Sequence, residues 1–223
     1  MSLGVSPDMS RAPSLCAVIL AAGESSRMGR DKALLPWPPV APGLVATETF
    51  LSAAIRGLSR YNEMVFVVAG KNESALRPIV YAMGVFLVTN PDPSRGQFSS
   101  LRIGLSEVLN RGRDAAMITL VDRPPVPDAN IAKLRNAFLE AVQRGKWAVV
   151  PAYQGKHGHP IVAGREMMEA FLKADSNSTA RDVEHQHRDK IEYVELDDPL
   201  VSVNVNTPED YAALSGLVAG SLK

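Results

Sequence analysis

From Gly23 to Gly29 the chain reads Gly-Glu-Ser-Ser-Arg-Met-Gly, and Lys32 follows shortly after. These residue types at this spacing describe a grip for a polyphosphate. Glycine lets a backbone approach a ligand closely, and successive free N–H groups in a small polar loop bind anions. Arg27 and Lys32 add two cations. A carboxylate, Asp122, stands directly after the apolar run Ala115 to Val121 and is followed by Arg123, Pro124 and Pro125. A further polar stretch, Val203-Asn204-Val205-Asn206-Thr207-Pro208-Glu209-Asp210, places two side-chain amides ahead of a helix start. The histidines form two His-x-His pairs, His157/His159 and His185/His187, a spacing that also invites zinc. The second pair lies in the polar stretch Glu184 to Lys190 and reads as a solvated helix face.

Each group needs an element to hold it. Cys16 to Leu20 is apolar on both faces and β-branched at its centre, so it reads as a buried strand of a parallel sheet. Open α/β sheets put their ligands at the carboxyl ends of such strands, which is where the Gly23 loop and Asp122 fall. Beyond the loop, strand-like runs occur at 64–69, 85–89, 115–121, 147–152, 160–163, 191–196 and 201–205. Helix-like runs occur at 46–58, 73–83, 98–110, 128–144 and 166–172, and from 208 to about 217. The alternation predicts an α/β fold, a three-layer α/β/α arrangement around a mostly parallel, Rossmann-like sheet. Asp128 is expected to N-cap its helix. Thr207 is expected to cap the last one, with Pro208 in the first helical position and an acid three residues after the cap. Residues 1–13 are polar with Gly4, Pro7 and Pro13, and read as a disordered lead-in to a single domain over 14–223.

Hydrophobic residues make up 46% of the 223 and charged residues 22%, which suits a soluble globular chain able to bury a core. Lys+Arg and Asp+Glu both number 24, so no global field draws the protein to nucleic acid or an anionic membrane. The single cysteine, Cys16, sits in the first strand, where its role is packing, and is compatible with a reducing, cytoplasmic location. Neither a signal-peptide pattern nor an apolar run of membrane-spanning length is present.

The loop is not a Walker A, which needs four residues between its glycines and then Lys-Ser/Thr; here five separate Gly23 from Gly29 and Arg30-Asp31 follow. The dinucleotide pattern G-x-G-x-x-G is also absent. Instead, Leu20-Ala21-Ala22-Gly23-x-Ser25-x-Arg27-Met28-Gly29-x-x-Lys32-x-Leu34-Leu35 resembles the signature of the GT-A-like nucleotidyltransferases. Among these it is most similar to the molybdenum-cofactor nucleotidyltransferases, on their molybdopterin cytidylyltransferase branch. The resemblance implies that Leu20, Ala21, Ala22, Gly23, Glu24, Ser25 and Ser26 line the nucleotide and that Arg27 and Lys32 hold its phosphates. In the family an Asp-x-Pro and a residue before Thr-Pro-Glu-Asp hold the metal. This implies Mg²⁺ on Asp122 and Asn206, with Asn204 the weaker candidate, and makes Arg27, Lys32 and Asp122 the catalytic set.

The segment Asn90-Pro91 to Gly96-Gln97-Phe98-Ser99-Ser100 resembles the family's nucleobase and ribose segment, which implies Asn90, Gly96, Ser99 and Ser100 at the nucleotide. Gln97 and Phe98 depart from its pattern, and serines here also suit a helix N-cap. Gly155 to Pro160 resembles a loop on the acceptor side, implying His157, Gly158 and His159 there. Asp175 to Arg181 resembles a second such loop through Asp175, Ala180 and Arg181, although Ala174 and Ser178 replace its glycines. Arg123 stands where an uncharged residue is expected; it either meets a phosphate or points to solvent.

The implied reaction transfers CMP from CTP to a phosphorylated acceptor, molybdopterin, and releases pyrophosphate. CTP is favoured because Ala21-Ala22-Gly23 lacks the extra glycine of the guanylyl branch. A molybdoenzyme or its maturation factor is the implied protein partner, with no nucleic acid and no membrane. Two other readings compete: transfer to another phosphate, such as a sugar or polyol phosphate, and a non-catalytic nucleotide-binding or cofactor-delivery protein. Asp122 and Asn206 also suit simple turn positions.

Overall fold

Strand β1 (Leu15–Leu20) is buried along its whole length and lies near the centre of the sheet. The computed structural model describes residues 13–40 and 46–221, so the expected lead-in, Pro13 apart, and part of the Pro-rich 35–43 connection lie outside the described residues. After β1 come the short antiparallel pair β2 (Pro36–Trp37) and β3 (Glu48–Thr49), then α1 (Phe50–Ser59), β4 (Met64–Ala69), α2 (Glu73–Ala82) and β5 (Phe86–Thr89). The chain continues through α3 (Gln97–Asn110), β6 (Ala115–Leu120), α4 (Asp128–Gln143), β7 (Ala148–Tyr153), β8 (Lys156–His157) and β9 (Ile161–Gly164). It ends with α5 (Arg165–Lys173), α6 (Ala180–Gln186), β10 (Ile191–Glu195) and α7 (Pro208–Ser221). Among the described residues, no helix is long and apolar enough to cross a membrane.

The main sheet runs β10-β7-β9-β6-β1-β4-β5, with β8 paired to β7. β1 is parallel to β4 on one side and to β6 on the other, with Leu20 opposite both Val68 and Leu120. The chain leaves β1 toward β4 and β5 and returns to place β6 on β1's other side. That reversal is a topological switch point, and it opens a crevice at the carboxyl ends of β1 and β6. The register makes those ends level, so the residues after Leu20 and after Leu120 emerge side by side.

Alternation of side chains produces the three layers. Ala17, Ile19, Val67 and Met117 face one way, onto Leu51, Ile55, Leu76, Ile131, Leu134 and Phe138 of α1, α2 and α4. Cys16, Val18, Phe66, Val68 and Ile118 face the other, onto Leu101, Leu105, Met167, Phe171 and Val183 of α3, α5 and α6. Each fully buried side chain of this size contributes about 1.5–3 kcal/mol. α3 lies so close over β1 that a Cβ at Gly104 would sit 2.5 Å from Val18 Cγ1, so glycine is required there. A third cluster, Met28, Leu35, Phe50, Leu200, Val205 and Leu214, ties α7 and both site-bearing loops to α1.

Two expectations need correction. The stretch 201–205 alternates like a strand but is none: Pro199–Ser202 is a 3-10 turn, closed by Asp198 Oδ1 accepting from Leu200 N at 2.9 Å. Leu200 and Val205 are apolar because they bury in the third cluster. Asp128 does not cap α4; Pro127 holds that position without a side-chain bond, and the Asp128 carboxylate pairs with Arg60. The sheet is mostly parallel, as expected, with β9 antiparallel to both β6 and β7.

Candidate active site

A cleft of about 300 Å³ opens at the switch point, lined among others by Ala22, Gly23, Ser25, Lys32, Gly96, Ser100 and Asp122. The loop on its β1 side is held by its own side chains. Ser25 takes a left-handed backbone conformation (φ 52°), an arrangement that costs on the order of 1 kcal/mol and persists only where neighbours fix it. Its carbonyl accepts from Met28 N at 2.9 Å, and its Oγ accepts from Lys32 N at 3.1 Å. Met28, buried in the third cluster, anchors the middle of the loop. Asp31 closes the far end, its Oδ1 accepting from Ala33 N at 2.9 Å.

Sequence reasoning missed Asn72. Its Nδ2 donates to Ala21 O at 2.9 Å and to Asp31 Oδ2 at 2.7 Å, while its Oδ1 accepts from Gly70 N at 3.1 Å. One amide thus braces both ends of the loop against β4. The available signal was a polar residue just past the second parallel strand, at the same edge as the loop.

Lys32 turns inward. Its ammonium donates to Asn206 Oδ1 at 2.9 Å and lies 3.7 Å from Asp122 Oδ2. Arg27 donates to the same Asn206 oxygen at 3.2 Å. Burial pulls the Lys32 ammonium below the ordinary lysine range, opposed chiefly by the Asp122 charge. Asp122 Oδ1 is buried with no hydrogen-bond partner among the described residues. A buried, unpaired carboxylate oxygen is costly unless something else satisfies it. Asn206 is oriented by Asp210, whose Oδ2 accepts from the backbone N–H of Asn206 at 2.8 Å and of Thr207 at 3.0 Å. Those bonds hold the Asp210 carboxyl below the usual carboxylate range. Asp210 N in turn donates to Thr207 Oγ1 at 3.3 Å, the expected cap. Asn204, by contrast, is exposed.

The β4–α3 side is less open to a ligand than its residue types imply. Asn90 is buried and donates to Ser99 Oγ at 2.9 Å and Ser100 Oγ at 2.8 Å, so these three stitch the start of α3 to β5. Of them only Ser100, with Gly96, lines the cleft. Phe98 turns away from it, its ring edge-on to Phe171 at 6.2 Å. Glu24 and Ser26 are exposed, and Glu24 pairs with Lys71 at 2.6 Å.

On the β9 side, His159 N donates to Val201 O at 2.9 Å, and its ring Nδ1 lies 3.4 Å from Ile118 O. Burial, reinforced by the Arg123 charge, pushes its pKa down to about 4, so the ring is neutral at pH 7. A Cβ on Gly158 would lie 2.1 Å from Val201 O, so only glycine fits. His157 is exposed and stacks on Tyr193 at 4.3 Å. Asp175, on the loop between α5 and α6, and Arg181, in the first turn of α6, are both exposed. His187 lies against Trp147, apart from the His157 loop, and among the described residues no three His, Cys, Asp or Glu side chains converge as a metal site.

The model of the family described as MobA-like NTP transferase domain matches residues 17–191. The molybdenum cofactor cytidylyltransferase of Escherichia coli is 23% identical over 199 residues, covering 87% of this chain and 92% of that protein. A probable molybdenum cofactor guanylyltransferase of Rhodopirellula baltica is 28% identical over 207 residues, covering 89% of this chain and 90% of its own. In fold, the crystal structure of Rv0371c from Mycobacterium tuberculosis superimposes with a TM-score of 0.74 at 24% identity, covering 90% of this chain and 97% of that one. The glycine-bracketed loop after β1 and the carboxylate after β6, joined across a switch point by Lys32, stand in a matched framework: the chain is a nucleotidyltransferase and belongs to the MobA-like NTP transferase domain family.

Proposed function

We propose that the protein transfers CMP from CTP to the phosphate of molybdopterin with Mg²⁺ and releases pyrophosphate. The observation that carries this reading is the convergence of Lys32, Arg27, Asn206 and Asp122 on one point, with Asp122 Oδ1 buried and unsatisfied. The donor set fits Mg²⁺: a carboxylate oxygen and an amide oxygen, with its other positions left to phosphate and water. Held by Asp122 and Asn206, Mg²⁺ would offset the triphosphate charge and polarise the reacting phosphoryl group.

The chain's own residues do the positioning. Lys32 and Arg27 exchange Asn206 for phosphate oxygens, and the backbone from Ala22 to Ser26 lies along the nucleotide. The acceptor phosphate oxygen forms a bond to the α-phosphorus while the bond to the β-phosphate oxygen breaks, and pyrophosphate leaves with that electron pair. A phosphate monoester is already anionic, so no strong base is needed, and catalysis is alignment plus charge stabilisation. A neutral His159 suits this chemistry as a hydrogen-bonding group on the acceptor side.

The relatives named for the molybdenum cofactor support molybdopterin as acceptor, and Ala22, lining the cleft without an added glycine, supports CTP. The test is pyrophosphate release with molybdopterin and each nucleotide in competition. CTP is expected to be used preferentially; equal or better use of GTP overturns the nucleotide assignment, and use of a sugar or polyol phosphate in place of molybdopterin overturns the acceptor.

A further inference from the structure

Asp122 lies in the middle of the chain and Asn206 near its far end, and bonds behind their side chains tie the two segments together. The segment carrying Asn206 leaves the 3-10 turn at Ser202 and crosses the end of β6 without pairing in a ladder. Its carbonyls therefore need partners from elsewhere. Arg123 supplies them: Nη1 donates to Ser202 O at 3.1 Å and to Val203 O at 3.0 Å. One residue earlier, Asp122 O accepts from Val205 N at 2.8 Å. The three bonds form a clasp with Asp122 at one end and Asn206 at the other.

The clasp is retained at a cost. Arg123 Nε is buried with no partner among the described residues, and burial lowers the guanidinium's affinity for its proton. A part-satisfied buried cation is a weak stabiliser, and an apolar side chain of similar volume often does as well or better. A guanidinium kept here fits a need for geometry more than for stability.

We propose that Arg123 is the positioning residue of the metal site: by fastening the Ser202–Val203 carbonyls to the end of β6, it sets the distance between Asp122 and Asn206. This rests on the reading of those two residues as metal ligands. Groups that orient ligands from behind commonly change metal affinity by about 10–100-fold when removed.

The experiment is Mn²⁺ binding, followed by electron paramagnetic resonance in the presence of a non-hydrolysable CTP analogue, for wild type, Arg123→Met and Arg123→Lys. Amide hydrogen exchange across 202–206 and a thermal melt accompany it. Arg123→Met keeps the length and apolar stem, and is expected to bind Mn²⁺ about tenfold more weakly, with faster exchange confined to 203–206. Arg123→Lys keeps the charge with a single donor group and is expected to fall between the two. Should Arg123→Met fail to fold, wild type against Arg123→Lys still decides, with about a threefold loss expected. Equal Mn²⁺ affinity in wild type and variants overturns the proposal while leaving the metal reading intact. Absence of Mn²⁺ binding by wild type overturns the metal reading itself, and the Arg123 proposal with it.

Discussion

The two flanks of Asp122 are built differently. On the β1 flank the loop from Gly23 to Lys32 is fixed at its turn by Ser25, at its middle by buried Met28 and at both ends by Asn72. On the β9 flank the backbone of Gly158 and His159 is locked against Pro151 and Val201, while His157, Asp175 and Arg181 present exposed side chains. On the proposed function the pre-formed β1 loop would meet the triphosphate, which is the same in every nucleotide, at a lower ordering cost. On the same reading the acceptor, which differs among transferases, would be met by exposed side chains on a fixed strand end and beyond α5, which can change without disturbing the core.

The largest effect among the flanks is expected at Lys32. On the proposed function, in which Lys32 meets the phosphates, Lys32→Ala should lower kcat/KM by about a hundredfold, the scale of losing a charge contact in the transition state. The melting temperature should stay close to wild type; normal turnover would show that the β1 loop is not a phosphate grip. Asn72→Ala comes next. It leaves Ala21 O and Asp31 without their donor, which should cost about 1–3 kcal/mol in urea unfolding and raise the NTP KM severalfold. An unchanged NTP KM would mean that the loop keeps its shape without its brace.

His159→Ala should have the smallest effect on turnover, raising the acceptor KM by about threefold with the NTP KM unmoved, since one neutral hydrogen bond contributes about 0.5–1.5 kcal/mol. The opposite pattern would move this loop to the nucleotide side. His159 also makes stability depend on pH. Its folded pKa, about 4, lies below the unfolded value near 6.5, so the unfolded chain binds more protons in that window. Stability due to the neutral ring is full above about pH 6.5 and is lost as pH falls toward 4. The melting temperature should drop over that range in wild type and less so in His159→Gln.

The same contrast decides what was legible in the sequence. Buried strands ending at a polar residue announce themselves locally, so β1, β6, the Gly23 loop and Asp122 could be read from the chain. The Thr207–Asp210 cap is likewise local, its partners three residues apart. The role of Asn72 as a brace was not legible beyond its place at the strand end, because the two loop groups its Nδ2 reaches are 51 and 41 residues away. Phe98 looked like a damaged nucleotide contact, whereas its ring packs on Phe171 of α5, a contact made only in three dimensions. Val201 to Val205 alternates for two unrelated reasons, a buried turn and a buried anchor, which imitate a strand. Arg123 sits among prolines with no sequence sign that two carbonyls from the far end of the chain wait for it.

Asp122 belongs to neither flank and is where both meet. The most direct test is turnover against Mg²⁺ concentration for wild type and Asp122→Asn, with a thermal melt of each. Asparagine keeps the size and removes the charge, so a mere turn residue would tolerate it. As a metal ligand, Asp122→Asn should fold with an unchanged melt, lose about a hundredfold or more in turnover, equivalent to roughly 3 kcal/mol or more, and recover in part at higher Mg²⁺. Superimposable Mg²⁺ curves for the two proteins would contradict the account.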